Sequence, residues 1–117
     1  MVVVDQKLER GWLELGRTEV VWDNLNPEFE KKFILDFDFA VHQLLRFTVY
    51  DVDNERRNLS CHDFLGQVCI SLGEIVVAQS GIEAGNAQLI SRSFNTYFRV
   101  YYRRQNFYSF LLVKIHT

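Results

Sequence analysis

Short stretches of alternating apolar and polar residues run along the chain and are separated by turn signals. Successive side chains of a β-strand point to opposite faces, so these stretches predict strands with one buried and one solvated face. A further apolar segment, residues 72–78, suits one or more helical turns. The predicted strands occupy residues 2–4, 12–15, 18–22, 29–39, 45–50 and 65–72.

The pattern changes after about residue 80. Residues 80–93 are polar and weakly patterned, whereas residues 97–102 and 107–115 predict two strands around a polar turn. Many short strands with frequent turn signals are typical of two packed antiparallel sheets. The sequence therefore predicts an all-β protein with an antiparallel β-sandwich.

Size and composition suit one globular domain. The chain has 117 residues, of which 48% are hydrophobic, so it can fill a core and is unlike a disordered chain. Its two cysteines, Cys61 and Cys69, do not form the pattern of a disulfide scaffold, which favours a reducing, intracellular setting. A membrane-spanning helix needs about 20 apolar residues, and no such segment is present. Any membrane contact is therefore expected to be peripheral.

Charge is distributed unevenly along the chain. The net charge is −2, yet residues 80–117 carry five basic residues against Glu83 alone, so the preceding part is acidic. An acidic body needs a cation or a basic partner to approach an anionic surface. Because the sequence has no helix-turn-helix, zinc-ligand or single-strand-binding motif, nucleic acid is not an expected partner.

The segment from Asp51 to Asp63 contains the chemistry of greatest interest. Asp51 and Asp53 leave the end of an alternating strand on the same face, and Asp63 precedes the next strand. Calcium takes about 6–8 oxygen ligands, usually including carboxylates. The three aspartates are therefore predicted metal ligands, with Ca²⁺ as the expected cofactor.

Other interpretations of this loop remain open. Aspartate is common in turns, where it hydrogen-bonds its own backbone, so these can be ordinary surface residues. The spacing is not that of an EF-hand, which has a longer ligand set and a central glycine. His62 next to Asp63 has no partner nucleophile, so we expect no catalytic residues and no enzyme activity. Phe64 is expected to anchor the core.

Several motifs together resemble the C2 domains of the copine family, most closely the first of the two C2 domains in a copine. The resemblance covers about residues 2–79. Its motifs are GRTEVV at residues 16–21, NLNPEF at 24–29, LRFTVYDVD at 45–53, HDFLGQ at 62–67 and LGEIV at 72–76.

This resemblance implies an eight-stranded antiparallel β-sandwich that binds calcium and then acidic phospholipid through loops at one end. Asp51, Asp53 and Asp63 match the aspartates of the family's third calcium-binding loop. Lys31 and Lys32 match a strand where many C2 domains have a basic, lipid-contacting patch; the alternative is a solvated strand face.

Two arginines of the loop are further candidates for lipid contact. Arg56 and Arg57 lie inside the loop and can meet phosphate headgroups, each contributing about 1 kcal/mol near an anionic surface. A solvated pair of loop arginines is the alternative interpretation. The expected membrane partner is therefore an anionic phospholipid surface.

The chain departs from the family pattern in two places. It begins where the family's third strand begins, so the first strands and the first calcium loop are missing, and an incomplete site with weakened calcium binding is expected. Residues after about 80 do not resemble the family's closing strands. We therefore expect a partial C2 domain at residues 1–79 and a divergent tail at 80–117, whose two strands would replace missing ones, as in a truncated or alternatively spliced product.

The leading functional hypothesis is calcium-dependent phospholipid binding by a cytoplasmic module that is recruited peripherally to the plasma membrane. Its rival is a calcium-independent protein-interaction or decoy fragment, in which the aspartates have no binding role.

Overall fold

The computed structural model describes residues 1–24, 26–36, 38, 40–80, 87–91, 96–105 and 108–116. Within these ranges the chain forms eight strands, one 3-10 turn at Leu59–Cys61 and one helix, α1, at Leu72–Ser80. The strands are β1 Val2–Lys7, β2 Trp12–Arg17, β3 Phe33–Leu35, β4 Leu44–Asp51, β5 Asp63–Ser71, β6 Ala87–Ser91, β7 Thr96–Gln105 and β8 Tyr108–His116.

The strands form two four-stranded antiparallel sheets. The first sheet has the order β2-β1-β4-β5, and the second has the order β3-β8-β7-β6. All four strands of the first sheet lie within residues 2–71, whereas the second sheet joins β3, from the same part of the chain, to β6, β7 and β8. This architecture confirms the predicted antiparallel β-sandwich.

The core lies between the two sheets. The first sheet contributes Val2 and Val4 of β1 and Phe47 of β4, and all three are fully buried. Phe33 of β3 and Leu111 of β8 are directly paired across the second sheet and are buried in the same cluster. Helix α1 adds further apolar side chains to it.

The C-terminal strands belong to this core. The expected strands at residues 97–102 and 107–115 correspond to β7 and β8, although residue 107 lies outside the described residues. Val100 of β7 and Val113 of β8 face each other and are buried. Residues of β7 and β8 therefore pack in the common core, whereas the proposed division at residue 79 remains a prediction.

The strand predicted at residues 18–22 is wrong. Thr18 still bonds to β1, because its backbone N–H donates to the Val2 carbonyl at 2.9 Å and its hydroxyl accepts from the Val2 N–H at 2.8 Å. Glu19 then turns away and accepts the backbone N–H of Glu30 with its carboxylate. The chain leaves the sheet at this point, and Asp23 takes a positive φ of 51°.

Of the described residues in the strand predicted at 29–39, β3 at Phe33–Leu35 is the part that forms a regular strand. Phe29 and Phe33 are buried, as the alternation predicts, and the Phe29 N–H donates to Val113 at 3.2 Å. The Glu30 N–H points away from β8 and bonds to the Glu19 carboxylate, and regular pairing with β8 is described from Phe33 to Leu35. Phe37 and Phe39, which completed the predicted pattern, lie outside the described residues.

Sequence patterning missed β6 and located α1. β6 falls in the segment described as weakly patterned, because only Leu89 and Ile90 are large and apolar and they are adjacent. The start of α1 is fixed by a capping box: Ser71 Oγ accepts the Glu74 N–H, and the Glu74 carboxylate accepts the Ser71 N–H, both at 3.1 Å. These hydrogen bonds from Ser71 lower the pKa of Glu74 below its ordinary value.

A first prediction concerns the contribution of β8 to the core. Leu111 is fully buried and Ile34 on the neighbouring strand is 68% exposed. We expect Leu111→Ala to lower the free energy of unfolding by about 2–5 kcal/mol, because a cavity is left in the core. The matched change Ile34→Ala should cost less than about 1 kcal/mol. Equal effects in urea denaturation would contradict the packing of the tail in the core.

A second prediction concerns the capping box. Ser71→Ala should destabilise the fold by about 1 kcal/mol, because it removes the side-chain acceptor for the Glu74 N–H. The control Ser60→Ala removes an exposed serine hydroxyl and should change stability by less than about 0.5 kcal/mol.

The same box predicts a pH dependence. The folded protein favours the Glu74 carboxylate, so its contribution to stability is complete above the pKa of an unfolded glutamate and is lost as the pH falls through the lower folded pKa. The stability difference between the unmodified chain and Glu74→Gln should therefore shrink on acidification, measured by thermal melts over a pH series. A difference that grows towards acid would contradict this assignment.

Candidate metal centre

The site is formed where β4 ends and β5 begins. Tyr50 pairs with Phe64 and Asp51 pairs with Asp63, so these strands bring two carboxylates to directly opposed positions. A register shift between Val49 and Tyr50 immediately precedes these two rungs. Bulges of this kind change where the following side chains point and are common beside functional sites.

Asp53 completes a cluster with Asp51 and Asp63. One carboxylate oxygen from each lies within 4.8 Å of the other two, and all three residues are exposed. Calcium binds oxygen at about 2.3–2.6 Å, so two oxygens on opposite sides of one ion lie about 5 Å apart. The donor set and its spacing therefore fit a single calcium ion.

The cluster is electrostatically unfavourable on its own. Like charges on directly opposed residues of an antiparallel pair are destabilising. No ion pair within 4 Å and no side-chain hydrogen bond reaches these three carboxylates from the part of the chain that the structure describes. A bound cation would relieve this repulsion, so the cluster has the electrostatic character expected of a metal site.

Residues 52–62 form the loop above the cluster, and local hydrogen bonds organise it. Asn58 caps the 3-10 turn by accepting the Ser60 N–H at 3.1 Å. Asn54 accepts the Arg56 N–H at 2.9 Å. Arg17 at the end of β2 donates to the Arg57 carbonyl and pairs with Glu14. The loop is therefore tied to the edge strand of the first sheet.

His62 supports this loop from below. The residue is only 8% exposed, and its Nε2 lies 2.6 Å from the Arg56 carbonyl oxygen. A carbonyl can only accept, so Nε2 carries the proton in this contact. Its Nδ1 is buried without a hydrogen-bond partner in the described structure. His62 thus acts as an internal support for the loop.

The N-terminal residue lies beside the same strand end. The Met1 ammonium group donates to the Tyr50 carbonyl at 3.1 Å, and the Tyr50 N–H donates to the Met1 carbonyl at 2.9 Å. Burial lowers the pKa of this ammonium group, while the negative charges of Asp51 and Glu19 oppose the shift. The segment after β2 and the loop after β4 therefore leave the sheet at the same end.

The four basic residues predicted to contact lipid fall in three places. Arg56 and Arg57 are exposed in the loop that carries Asp53. Lys31 lies beside Gly16 of β2, and its Cε is 3.9 Å from the point that a Cβ atom on this glycine would occupy. The Lys32 ammonium group lies over the Phe110 ring of β8, 4.7 Å from the ring centroid. The structure brings the three aspartates together and places the two lysines against different sheets.

Two features of the site differ from, or add to, the sequence prediction. Phe64 is 56% exposed and packs edge-on against Tyr50, with ring centroids 6.3 Å apart, so the prediction that it anchors the core is wrong. The bulge before Tyr50 accounts for the difference, because it changes the face of the sheet to which the Phe64 side chain points. The clamp from Arg17 has no local sequence signal, since it joins residues 40 positions apart.

A prediction follows from the opposed carboxylates. Asp63→Asn should raise the free energy of unfolding by about 0.2–1 kcal/mol in chelator at low ionic strength, because it removes one of two facing charges. Added salt should reduce this gain by screening the repulsion. Asp36→Asn, an exposed aspartate outside the cluster, is the control. A destabilised Asp63→Asn protein under these conditions would show that the cluster carries no repulsion.

Comparison with known proteins agrees with this architecture. The chain is 50% identical over 70 residues to "Nicotinic receptor-associated protein 1" of Caenorhabditis elegans, covering 58% of this chain. It is 54% identical over 67 residues to the protein of the same name from Caenorhabditis briggsae, covering 56% of this chain. The chain spans about 11% of the length of either relative.

The family match extends further along the chain than these pairwise similarities. Residues 1–89 match the C2 domain family, so the match includes both sides of the aspartate cluster and helix α1. It also ends inside β6, beyond residue 79, at which the sequence resemblance stopped. With its antiparallel sandwich and most of its length matched, the chain belongs to the C2 domain family.

Proposed function

We propose that this chain is a copine-like C2 module that binds anionic phospholipid membranes in a calcium-dependent manner. The observation that carries the proposal is the cluster of Asp51, Asp53 and Asp63, with oxygens within 4.8 Å at one end of the sandwich. Calcium-binding and membrane-binding activities are common uses of the C2 fold, and the donor set suits this ion.

Three carboxylates carry six oxygens, all supplied from one side. Asp51 and Asp63 are fixed by strand pairing, whereas Asp53 stands on the loop. Calcium takes about 6–8 oxygens, so the phosphate of a lipid headgroup and water can complete the shell. A bound calcium ion would place positive charge between the aspartate cluster and the anionic lipid headgroups. The aspartates hold it at the exposed end, where a flat membrane can reach it.

Nearby basic residues would strengthen contact with the membrane. Arg56 and Arg57 are exposed on the same loop, and each basic residue close to an anionic leaflet contributes about 1 kcal/mol. Lys31 and Lys32 are exposed on the segment leading into β3. The cytoplasmic leaflet of the plasma membrane is anionic, so it is the surface we propose for recruitment.

Peripheral attachment is the form of membrane contact that we propose. Among the described residues, no helix is long and apolar enough to cross a bilayer. The exposed aspartates and arginines lie on the loop at residues 52–62 or at the two strand ends that flank it, and can reach headgroups without entering the hydrocarbon layer. We propose a binding role and no catalytic one, since His62 is occupied with the Arg56 carbonyl and supports the loop.

A second candidate function is calcium-independent binding to a protein. The observation that favours it is the name of both relatives, which describes association with a nicotinic receptor. Those relatives are much longer, so the association can belong to parts that this chain does not match. The two candidates differ in whether the aspartates are required.

Sedimentation with phosphatidylserine vesicles tests the leading proposal. We expect calcium to bring the chain into the pellet and chelator to release it, while phosphatidylcholine vesicles capture little. Asp63→Asn should lower calcium affinity by at least about tenfold, because even changes behind a metal ligand cost 10–100-fold. Asp36→Asn controls for loss of one negative charge elsewhere. Equal pelleting with calcium and with chelator would reject calcium dependence.

The double variant Asp51→Asn/Asp53→Asn separates the two candidates. If the chain acts only as a calcium-independent interaction module, its partner binding should not change in this variant. Loss of vesicle binding with an unchanged thermal melt supports the calcium-dependent membrane function. Unchanged vesicle binding would remove the aspartates from the mechanism.

A further inference from the structure

The loop at residues 52–62 contains an exposed serine, Ser60, that follows two arginines. Ser60 is exposed and lies in the 3-10 turn, and its hydroxyl donates only to Asn58, at 2.9 Å. Arg57 and Arg56 precede it by three and four residues. We propose that Ser60 is a phosphorylation site for an arginine-directed protein kinase.

The chemistry of recognition rests on the two arginines. Kinases distinguish substrates by patterns of charge around the acceptor, and a guanidinium group pairs well with carboxylates of a peptide-binding groove. Arg56 and Arg57 are exposed, and neither guanidinium group is in an ion pair within the described structure. Their side chains are therefore available to a kinase.

The backbone near Ser60 can be presented at low cost. Asn58 already has an extended conformation, with φ −68° and ψ 121°. An extended backbone at Ser60 requires opening of the short turn. Two backbone hydrogen bonds hold this turn, from the Cys61 N–H to the Asn58 carbonyl and from the His62 N–H to the Leu59 carbonyl. Local opening of an exposed turn costs less than global unfolding, and the contacts of Arg17 and His62 with the Arg57 and Arg56 carbonyls lie before this turn.

The reaction uses a nucleoside triphosphate as co-substrate. The Ser60 Oγ forms a bond to the γ-phosphorus of ATP, the bond to the β–γ bridging oxygen breaks, and ADP leaves. The hydroxyl proton passes to the catalytic carboxylate of the kinase. The product carries about two negative charges on a loop where Arg56 and Arg57 otherwise balance Asp53 and Glu55.

The consequence for membrane contact rests on the proposed function. A phosphate on Ser60 neutralises the neighbouring arginines and adds negative charge to the face that would approach an anionic leaflet. Phosphorylation should therefore weaken capture by phosphatidylserine vesicles. The three aspartates themselves remain chemically unchanged.

The site is tested with the full chain, ATP and a purified kinase that selects arginine three residues before the acceptor. Mass spectrometry should find one phosphoryl group on Ser60 and none at this position in Ser60→Ala, while Ser60→Thr remains a substrate. Arg57→Ala should slow incorporation at least about tenfold, since a hydrogen bond to a charged group contributes about that factor. Arg10→Ala, an exposed arginine of the β1–β2 hairpin, should have no effect.

The outcomes separate the site from the membrane proposal. Absence of phosphate on Ser60, or equal rates for Arg57→Ala and Arg10→Ala, would overturn the site. Vesicle sedimentation in calcium then compares the phosphorylated and unmodified chains, with a reduction of at least about threefold in capture expected from the lost lipid contacts. Equal or stronger capture after phosphorylation would overturn the effect on membranes. Failure of vesicles to capture either form would reject the proposed function and leave the assignment of Ser60 intact.

Discussion

The register between β1, β4 and β5 is the constraint on which both the core and the site depend. Val2 and Val4 of β1 are buried and pair with Val49 and Phe47 of β4, which fixes the inward face of the first sheet. A one-residue slip would turn these side chains away from the second sheet, so the register is strongly specified. Between β4 and β5 this register shifts after Val49, and the shifted pairing places Asp51 opposite Asp63 at the strand end. The buried register and the bulge together determine which carboxylates meet.

Burial and charge are separated along the strand direction. Apolar residues in the middle of β1, β4 and β8 form the core, whereas the end that carries the aspartates is exposed and like-charged. Such a cluster opposes folding in the absence of a cation. It can be tolerated because the sheet below it is held by buried apolar contacts and by the Arg17 clamp from the neighbouring edge strand. Proteins commonly accept local strain or repulsion at a functional site when the surrounding structure over-determines it.

Alternation along the chain was sufficient to predict most strands of the first sheet and the paired strands β7 and β8. The aspartate triad was also predictable, because strand parity places Asp51 and Asp53 on one face and Asp63 at the return. Alternation failed at residues 18–22, where the chain leaves the first sheet after the hydrogen bonds of Thr18 with Val2. It also failed for Phe64, because a bulge shifts parity without any change in the pattern of residue types. Contacts between distant segments, such as Arg17 with Arg57, have no periodic signal that a single sequence can show.

The way in which the second sheet is assembled has a consequence for the order of folding. β3 must pair with β8 across about two-thirds of the chain, since Phe33 pairs with Leu111, whereas β1 and β4 pair over a shorter separation, as Val4 does with Phe47. Pairings between distant segments form slowly, because the loop between them must close before any contact is made. During synthesis the first sheet leaves the ribosome well before β8 does. Until the C-terminal hairpin arrives, the buried valines and phenylalanines have no opposing layer, so the nascent chain passes through a stage in which its apolar face is open to chaperones.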